Sequence, residues 1–361
     1  SVEPKVQSFG ELNTIVKTQI DARIVSFFDV KKKQAQGIDP QVRKLIGEIE
    51  RLLLHGGKRI RPTLVVIGYR AAGGKDDKLA YDAAFSLELL HAFMLVHDDV
   101  MDRDMTRHGK LNLVGVYQRL FARKLSLEQS TQTAEAMAIL AGDLLLSFVY
   151  ENISSLGLSA EITSRLIQQI NAVIFDTAAG QQLDVLYAVL GQPSFKKLLK
   201  VPHYKTGVYS FVGPLEFGAL LSGSDIADYA VLRQYGQNIG IAFQLIDDVL
   251  GMFGSSRVTG KSVLSDMHEG KPTVLRYWGH AFSDDKQRAI LNACFGNHAA
   301  TAADHRAVKK ILVENGAQSK TLVLAQQYGD RSKASLRESS LDSATVKQLD
   351  QLADFCLQRK F

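Results

Sequence analysis

The chain has 361 residues, 46% of them hydrophobic, and its 43 Lys and Arg against 38 Asp and Glu give a net charge of +5. That length can bury a large core, while basic residues spread along the chain, not gathered into a stripe with interleaved aromatics, argue against a nucleic-acid partner. Only two cysteines occur, Cys294 and Cys356, far apart and outside any Cys-x-x-Cys pattern, which argues against a disulfide framework or a thiolate metal site and for a cytoplasmic protein.

Apolar residues recur at helical spacing in segment after segment, as in Ile139, Leu140, Leu144 and Phe148, and strand-like alternation is hard to find. The expectation is an all-α chain, a single large bundle of about ten or more helices. Seven prolines and 28 glycines are scattered without forming a linker, so one domain over 1–361 is expected. The segment from Ser1 to Ile20 has no signal-like apolar core, and no charge-free stretch approaches the roughly 20 residues that cross a bilayer, so no membrane segment is expected. Lys31-Lys32-Lys33 reads as a solvated helix end.

Gly56-Gly57-Lys58-Arg59-Ile60-Arg61-Pro62 follows. Its glycines let backbone approach a ligand closely, Lys58 and Arg61 stand three apart, and Pro62 suits a first helical turn. Arg supplies paired donors and Lys a point charge, so the segment suits a diphosphate; by itself it is equally a turn with solvated charges.

A helix from about Lys78 to Asp102 and another from about Asp228 to Leu250 are apolar on nearly every face and read as the centre of the bundle. Each ends in adjacent aspartates, Asp98-Asp99 and Asp247-Asp248, at the pole where the helix dipole disfavours negative charge. Asp98 and Asp102, four apart, project within about 40° of each other, with Asp99 to one side. Such a patch repels itself unless a hard divalent cation with oxygen ligands relieves it, and Mg²⁺ fits because it also keeps waters and binds phosphate. His91 lies nearly two turns before Asp98 and faces roughly the same way. Basic residues follow: Arg107 after the first pair, Lys205-Thr206-Gly207 in a stretch of aromatic and small residues, and Lys261 and Lys271 after the second pair. Together with Lys58 and Arg61 they suggest two anionic groups to be held. The C-terminal Arg359-Lys360-Phe361 could close over one of these anion sites, but reads first as a solvated tail.

These motifs, in this order from about Leu53 to Thr273, resemble the trans-isoprenyl diphosphate synthase (polyprenyl synthetase) family, most closely its short-chain geranylgeranyl and farnesyl diphosphate synthases. The resemblance implies the isoprenoid synthase type I fold with a central cavity, a homodimer, and two to three Mg²⁺ ions bridged by substrate diphosphate. It implies Asp98, Asp102 and Asp247 as principal metal ligands, supported by Asp99 and Asp248. Gly57, Lys58, Arg61, His91 and His108 would hold isopentenyl diphosphate, and Arg107, Lys205, Thr206, Gln244, Lys261 and Lys271 the allylic diphosphate. The implied reaction is head-to-tail condensation of the two, with release of diphosphate.

Phe93 and Met94, five and four positions before Asp98, are the candidates for the floor that limits product length; geranylgeranyl diphosphate is the first expectation and farnesyl diphosphate the next. Two departures stand out. Arg107-His108 replaces a common Arg-Arg, which puts a titratable donor in the isopentenyl site. Asp247-Asp248-Val249-Leu250-Gly251 lacks its last carboxylate. A class I terpene cyclase and a non-catalytic partner subunit are the competing readings; the Gly57-Lys58-x-x-Arg61 segment argues against the first, and the two intact acidic pairs against the second.

Overall fold

A computed structural model describes residues 7–107, 109–191, 193–224, 229–254 and 264–359. His108 and Lys261 lie outside the described residues. The all-α expectation holds: the described residues form helices throughout apart from one pair of two-residue strands, β1 (Thr106–Arg107) and β2 (Lys110–Leu111), joined antiparallel. The contact pattern divides the chain into two compact units, Ser1–Gln168 with Phe217–Asp225, and Gln169–Glu216 with Ile226–Phe361.

In the first unit, α1 (Phe9–Gln36), α2 (Pro40–Leu54), α3 (Ile60–Ala71), α4 (Asp77–Met101), α5 (Leu113–Phe121) and α6 (Leu127–Ser154) pack around α4. Capping explains where they begin. Ser8 and Ser126 close capping boxes with Glu11 and Gln129, while Asp39, Asp76 and Asn112 each accept a backbone N–H at their helix starts. The near-uniform apolarity of α4 has the expected cause, since residues all round it are buried, from Ala80 to Val96. α4 and α6 are both long and apolar enough to cross a membrane by length and composition, yet they pack against each other, and 67% of the apolar window of α4 is buried within the protein. Core helices meet the same test.

α7 (Ala160–Leu190) and α9 (Gly213–Leu221) each run through a division point between the units. The second unit adds α8 (Phe195–Leu198), a π-helix over Pro202–Val212, α10 (Tyr229–Phe253), α11 (Ser265–Glu269), α12 (Val274–Ala281), α13 (Asp285–Cys294), α14 (Ala302–Glu314), α15 (Ala317–Arg337) and α16 (Ser343–Leu357). Its centre is α10, packed mainly on α15 and the π-helix. Tyr235, fully buried, donates its hydroxyl to the Leu349 carbonyl at 2.7 Å and so ties α10 to α16.

The approach of the π-helix to its neighbours depends on glycine. A Cβ at Gly240 on α10 would stand 2.2 Å from the Gly207 Cα, and one at Gly180 on α7 would stand 2.4 Å from the Lys205 backbone N. Both obstacles are main chain, which cannot swing aside as a side chain would. Gly240→Ala is therefore expected to destabilise the protein by roughly 1–3 kcal/mol or more, as overpacking of a dense core does. Thermal unfolding would show a lowered midpoint, and an unchanged midpoint would refute the contact.

Candidate active site

In the first unit the glycine-rich segment is a strained connection between α2 and α3. Gly56 and Gly57 have φ of 131° and 127°, and Arg59 has φ of 50°, left-handed values that glycine adopts freely and arginine does not. Arg59 holds this conformation because its guanidinium is buried and fully engaged. It bonds to Glu88 on α4, to Asp21 on α1 at 2.8 Å and to the Leu53 carbonyl at 2.6 Å. Burial opposes its charge, but Glu88 and Asp21 outweigh that and raise its pKa. Asn13 adds a tether from α1, donating to the Lys58 carbonyl and to Thr63 Oγ1, each at 2.8 Å. No local pattern marks Asp21 or Asn13 as supports of this segment, whereas Glu88 stands out as a carboxylate inside the apolar run of α4.

Two of the expected isopentenyl ligands meet. Arg61 Nη1 stands 3.2 Å from His91 Nε2, and because arginine only donates, a hydrogen bond between them has that nitrogen as acceptor. Gly57 and His91 line a cleft with Gly56, Arg107, and two basic residues not anticipated, Arg51 and Lys110. Lys58 is exposed beside it. The β-hairpin positions Arg107 and Lys110: Gly109 turns with φ of 72°, and Asn112, which caps α5, also donates to the Asp104 carbonyl at 2.7 Å. Arg107, expected at the allylic group, is thus placed beside Gly57 and His91.

The first acidic motif closes α4. Asp99 is buried, and its Oδ1 takes two bonds from Arg107, 2.6 Å from Nη2 and 3.1 Å from Nε. Burial nevertheless raises its pKa. Asp98 keeps a quarter of its side chain exposed, 3.9 Å from Arg107 Nη2, and Asp102 caps the helix with its N–H on the Asp98 carbonyl.

In the second unit α10 runs on to Phe253, so Asp247 and Asp248 lie more than a turn inside the helix and not at its end. The dipole acts within the last turn, so the expected dipole penalty is largely absent here; the penalty on charge is burial instead. Burial pushes the Asp248 carboxyl well above the ordinary range, with Asp266, Asp247 and Asp184 adding repulsion and one bond from Gln244 opposing. Three expected residues form one chain: Thr206 Oγ1 donates to Gln244 Oε1 at 2.7 Å, and Gln244 Nε2 donates to Asp248 Oδ1 at 2.9 Å. Lys205 Nζ lies 2.8 Å and Lys271 Nζ 3.7 Å from Asp184 on α7, a carboxylate the sequence reading did not single out. Asp247 pairs with Arg359, whose guanidinium also lies 4.6 Å from the Phe243 ring centre. Arg359 is therefore docked, in contrast to the solvated tail expected, because a carboxylate and an aromatic face lie within its reach.

Among the described residues no three His, Cys, Asp or Glu side chains already converge as a set of metal ligands. The donor chemistry still fits Mg²⁺: both motifs offer carboxylate oxygens only, and each directs one carboxylate, Asp98 and Asp247, partly into solvent.

The polyprenyl synthetase family model matches residues 43–312. The geranylgeranyl diphosphate synthase of Saccharolobus solfataricus is 31% identical over 312 residues, covering 86% of this chain and 88% of that one. The (2E,6E)-farnesyl diphosphate synthase of Mycobacterium tuberculosis is 29% identical over 307 residues, or 84% and 80% of the two chains. A crystal structure of geranylgeranyl pyrophosphate synthase from Corynebacterium glutamicum, complexed with isoprenyl diphosphate and magnesium, matches with a TM-score of 0.90 at 27% identity, covering 98% of this chain and all of that one. The all-helical isoprenoid synthase fold is the one these neighbours share. With its motifs in family order, its fold and its sequence all agreeing, the chain belongs to the polyprenyl synthetase family.

Proposed function

We propose that this protein condenses isopentenyl diphosphate with an allylic prenyl diphosphate, head to tail, to give a short-chain all-trans product, geranylgeranyl diphosphate first and farnesyl diphosphate next. The observation that carries this reading is that both acidic motifs are accompanied by diphosphate-type donors, Arg107 beside Asp98-Asp99 and the Thr206–Gln244 chain beside Asp248. A terpene cyclase has no use for the Arg61–His91 cradle, which suits a second diphosphate.

In this reading Gly57, Lys58, Arg61, His91 and His108 hold isopentenyl diphosphate. Asp98, Asp102 and Asp247, with Asp99 and Asp248, hold two to three Mg²⁺ ions. Bound Mg²⁺ neutralises the diphosphate and makes it a better leaving group. Lys205, Lys261, Lys271 and Arg107 stabilise the charge that grows on the departing oxygens, and donors preorganised for that charge supply most of the acceleration. Thr206 and Gln244 direct dipoles toward the cationic prenyl tail, and the apolar walls exclude the water that would quench it. The released diphosphate takes the final proton, so no side chain serves as base.

We further propose that the protein acts in the cytoplasm as a homodimer, and that residues 1–361 work as one prenyltransferase domain. Ile139 and Leu140, 45% and 50% exposed on α6, give a second copy an apolar surface.

Incubation with isopentenyl diphosphate and each allylic starter, with product length read by mass spectrometry, tests the reaction. A C20 product that needs Mg²⁺ is expected; hydrocarbon from geranylgeranyl diphosphate alone would indicate a cyclase, and no turnover a partner subunit. Asp98→Asn is expected to lower kcat by about 10²–10³-fold, the scale of losing one preorganised electrostatic contact. Met94 lies about 40° round α4 from Asp98, while Phe93 lies about 140° round and meets His97 edge-on at 4.8 Å. Both Met94→Ala and Phe93→Ala are expected to lengthen the product, Met94→Ala more, and unchanged distributions in both would remove them as the floor. Because an ion arriving at Asp247 competes with Arg359, Arg359→Ala is expected to lower the Mg²⁺ concentration for half-maximal rate several-fold; an increase would make Arg359 a helper and not a competitor.

A further inference from the structure

Gly251 stands four residues after Asp247, one turn along the same face of α10, where a carboxylate would complete a triad like that of Asp98, Asp99 and Asp102. The space it leaves is already filled. A Cβ at Gly251 would stand 1.6 Å from Asp266 Oδ2 and 2.6 Å from its Cγ. The carboxylate of Asp266, from α11, therefore lies in the volume into which a side chain at 251 would project.

The position of Asp266 is fixed by backbone packing. Met267, next in the chain, is fully buried in a cluster with Val249 and Met252 of α10. Its carbonyl accepts the Gly296 N–H at 2.9 Å, and Gly270 ends α11 with φ of 61° so close to Gly296 that a Cβ there would stand 2.6 Å from the Gly296 Cα.

The geometry points to Asp266 as the third carboxylate of the second acidic motif: delivered from a different helix, it takes the place left by Gly251 and positions the cation that Asp247 and Asp248 hold against the allylic diphosphate. This rests on the Mg²⁺-diphosphate reading above. It also removes one of the two doubts raised by the sequence, since the motif lacks a carboxylate in sequence but not in space.

The test is a side-chain exchange, read by calorimetric titration of Mg²⁺ with inorganic diphosphate and by the Mg²⁺ dependence of turnover. Asp266→Asn keeps shape and removes charge; it is expected to weaken Mg²⁺-diphosphate binding by about 10–100-fold, the usual effect of losing a group that orients metal ligands, with an unchanged thermal midpoint. Gly251→Asp alone is expected to be impaired as well, because two carboxylates then compete for one volume. The double variant Gly251→Asp, Asp266→Gly is expected to bind better than either single variant. Wild-type binding in Asp266→Asn, or a double variant no better than the worse single one, would overturn the assignment. Wild-type protein and Asp247→Asn serve as controls: if wild type binds no Mg²⁺-diphosphate, the functional reading fails, whereas if only Asp247→Asn loses binding, that reading stands and Asp266 is excluded.

Discussion

Concentrated negative charge on helices that are otherwise apolar is the constraint that organises both units. A carboxylate removed from water must be neutralised by a proton, a cation or hydrogen bonds. Asp99 is matched by Arg107, Asp247 by Arg359, Asp184 by Lys205 and Lys271, while among the described residues Gln244 opposes the burial of Asp248 and the repulsion of three nearby acids. Such an arrangement is poor value as structure, because replacing buried ion pairs by apolar side chains is often neutral or stabilising. Its retention makes sense where charged ligands complete it.

If the proposed function is right, the cations that neutralise the carboxylates are the ones a diphosphate would engage, and ligand binding in each unit would be an exchange of partners. Lys205 leaving Asp184 for a phosphate oxygen trades one charge-assisted bond for another, and the net gain is much smaller than either bond alone. The π-helix fits this picture. Its wider turn places Lys205 and Thr206 against α7 and α10 at distances that only Gly180 and Gly240 permit, and such turns occur mostly where function outweighs regular geometry.

Helices and their apolar faces were legible in the sequence because periodicity and caps are local. The expected span from Lys78 to Asp102 differs by one residue at each end from α4, and that from Asp228 ends three residues short of α10. The continuation of α10 to Phe253 was missed because a carboxylate pair followed by Gly251 looks like a helix end, whereas Gly251 is in fact an internal residue making room for Asp266. Motif residues stand out in the sequence because their spacing is local. Their supports were harder to see. Asp21, Glu88 and Asp184 lie 38, 29 and 21 residues from the cations they hold, and although Glu88 stands out in an apolar run, nothing local names its partner.

Arg59 shows why supports of this kind matter as much as ligands. A left-handed arginine between a glycine pair and a helix start is unfavourable alone, by about 1–2 kcal/mol, and persists because Glu88, Asp21 and the Leu53 carbonyl over-determine it. Breaking a buried pair of this type costs about 3–5 kcal/mol, which exceeds the strain it maintains. The balance holds Gly56 and Gly57 in their left-handed conformations at the cleft, a backbone that would need little ordering to receive the proposed diphosphate. Binding energy would then go to holding the substrate instead of folding the loop.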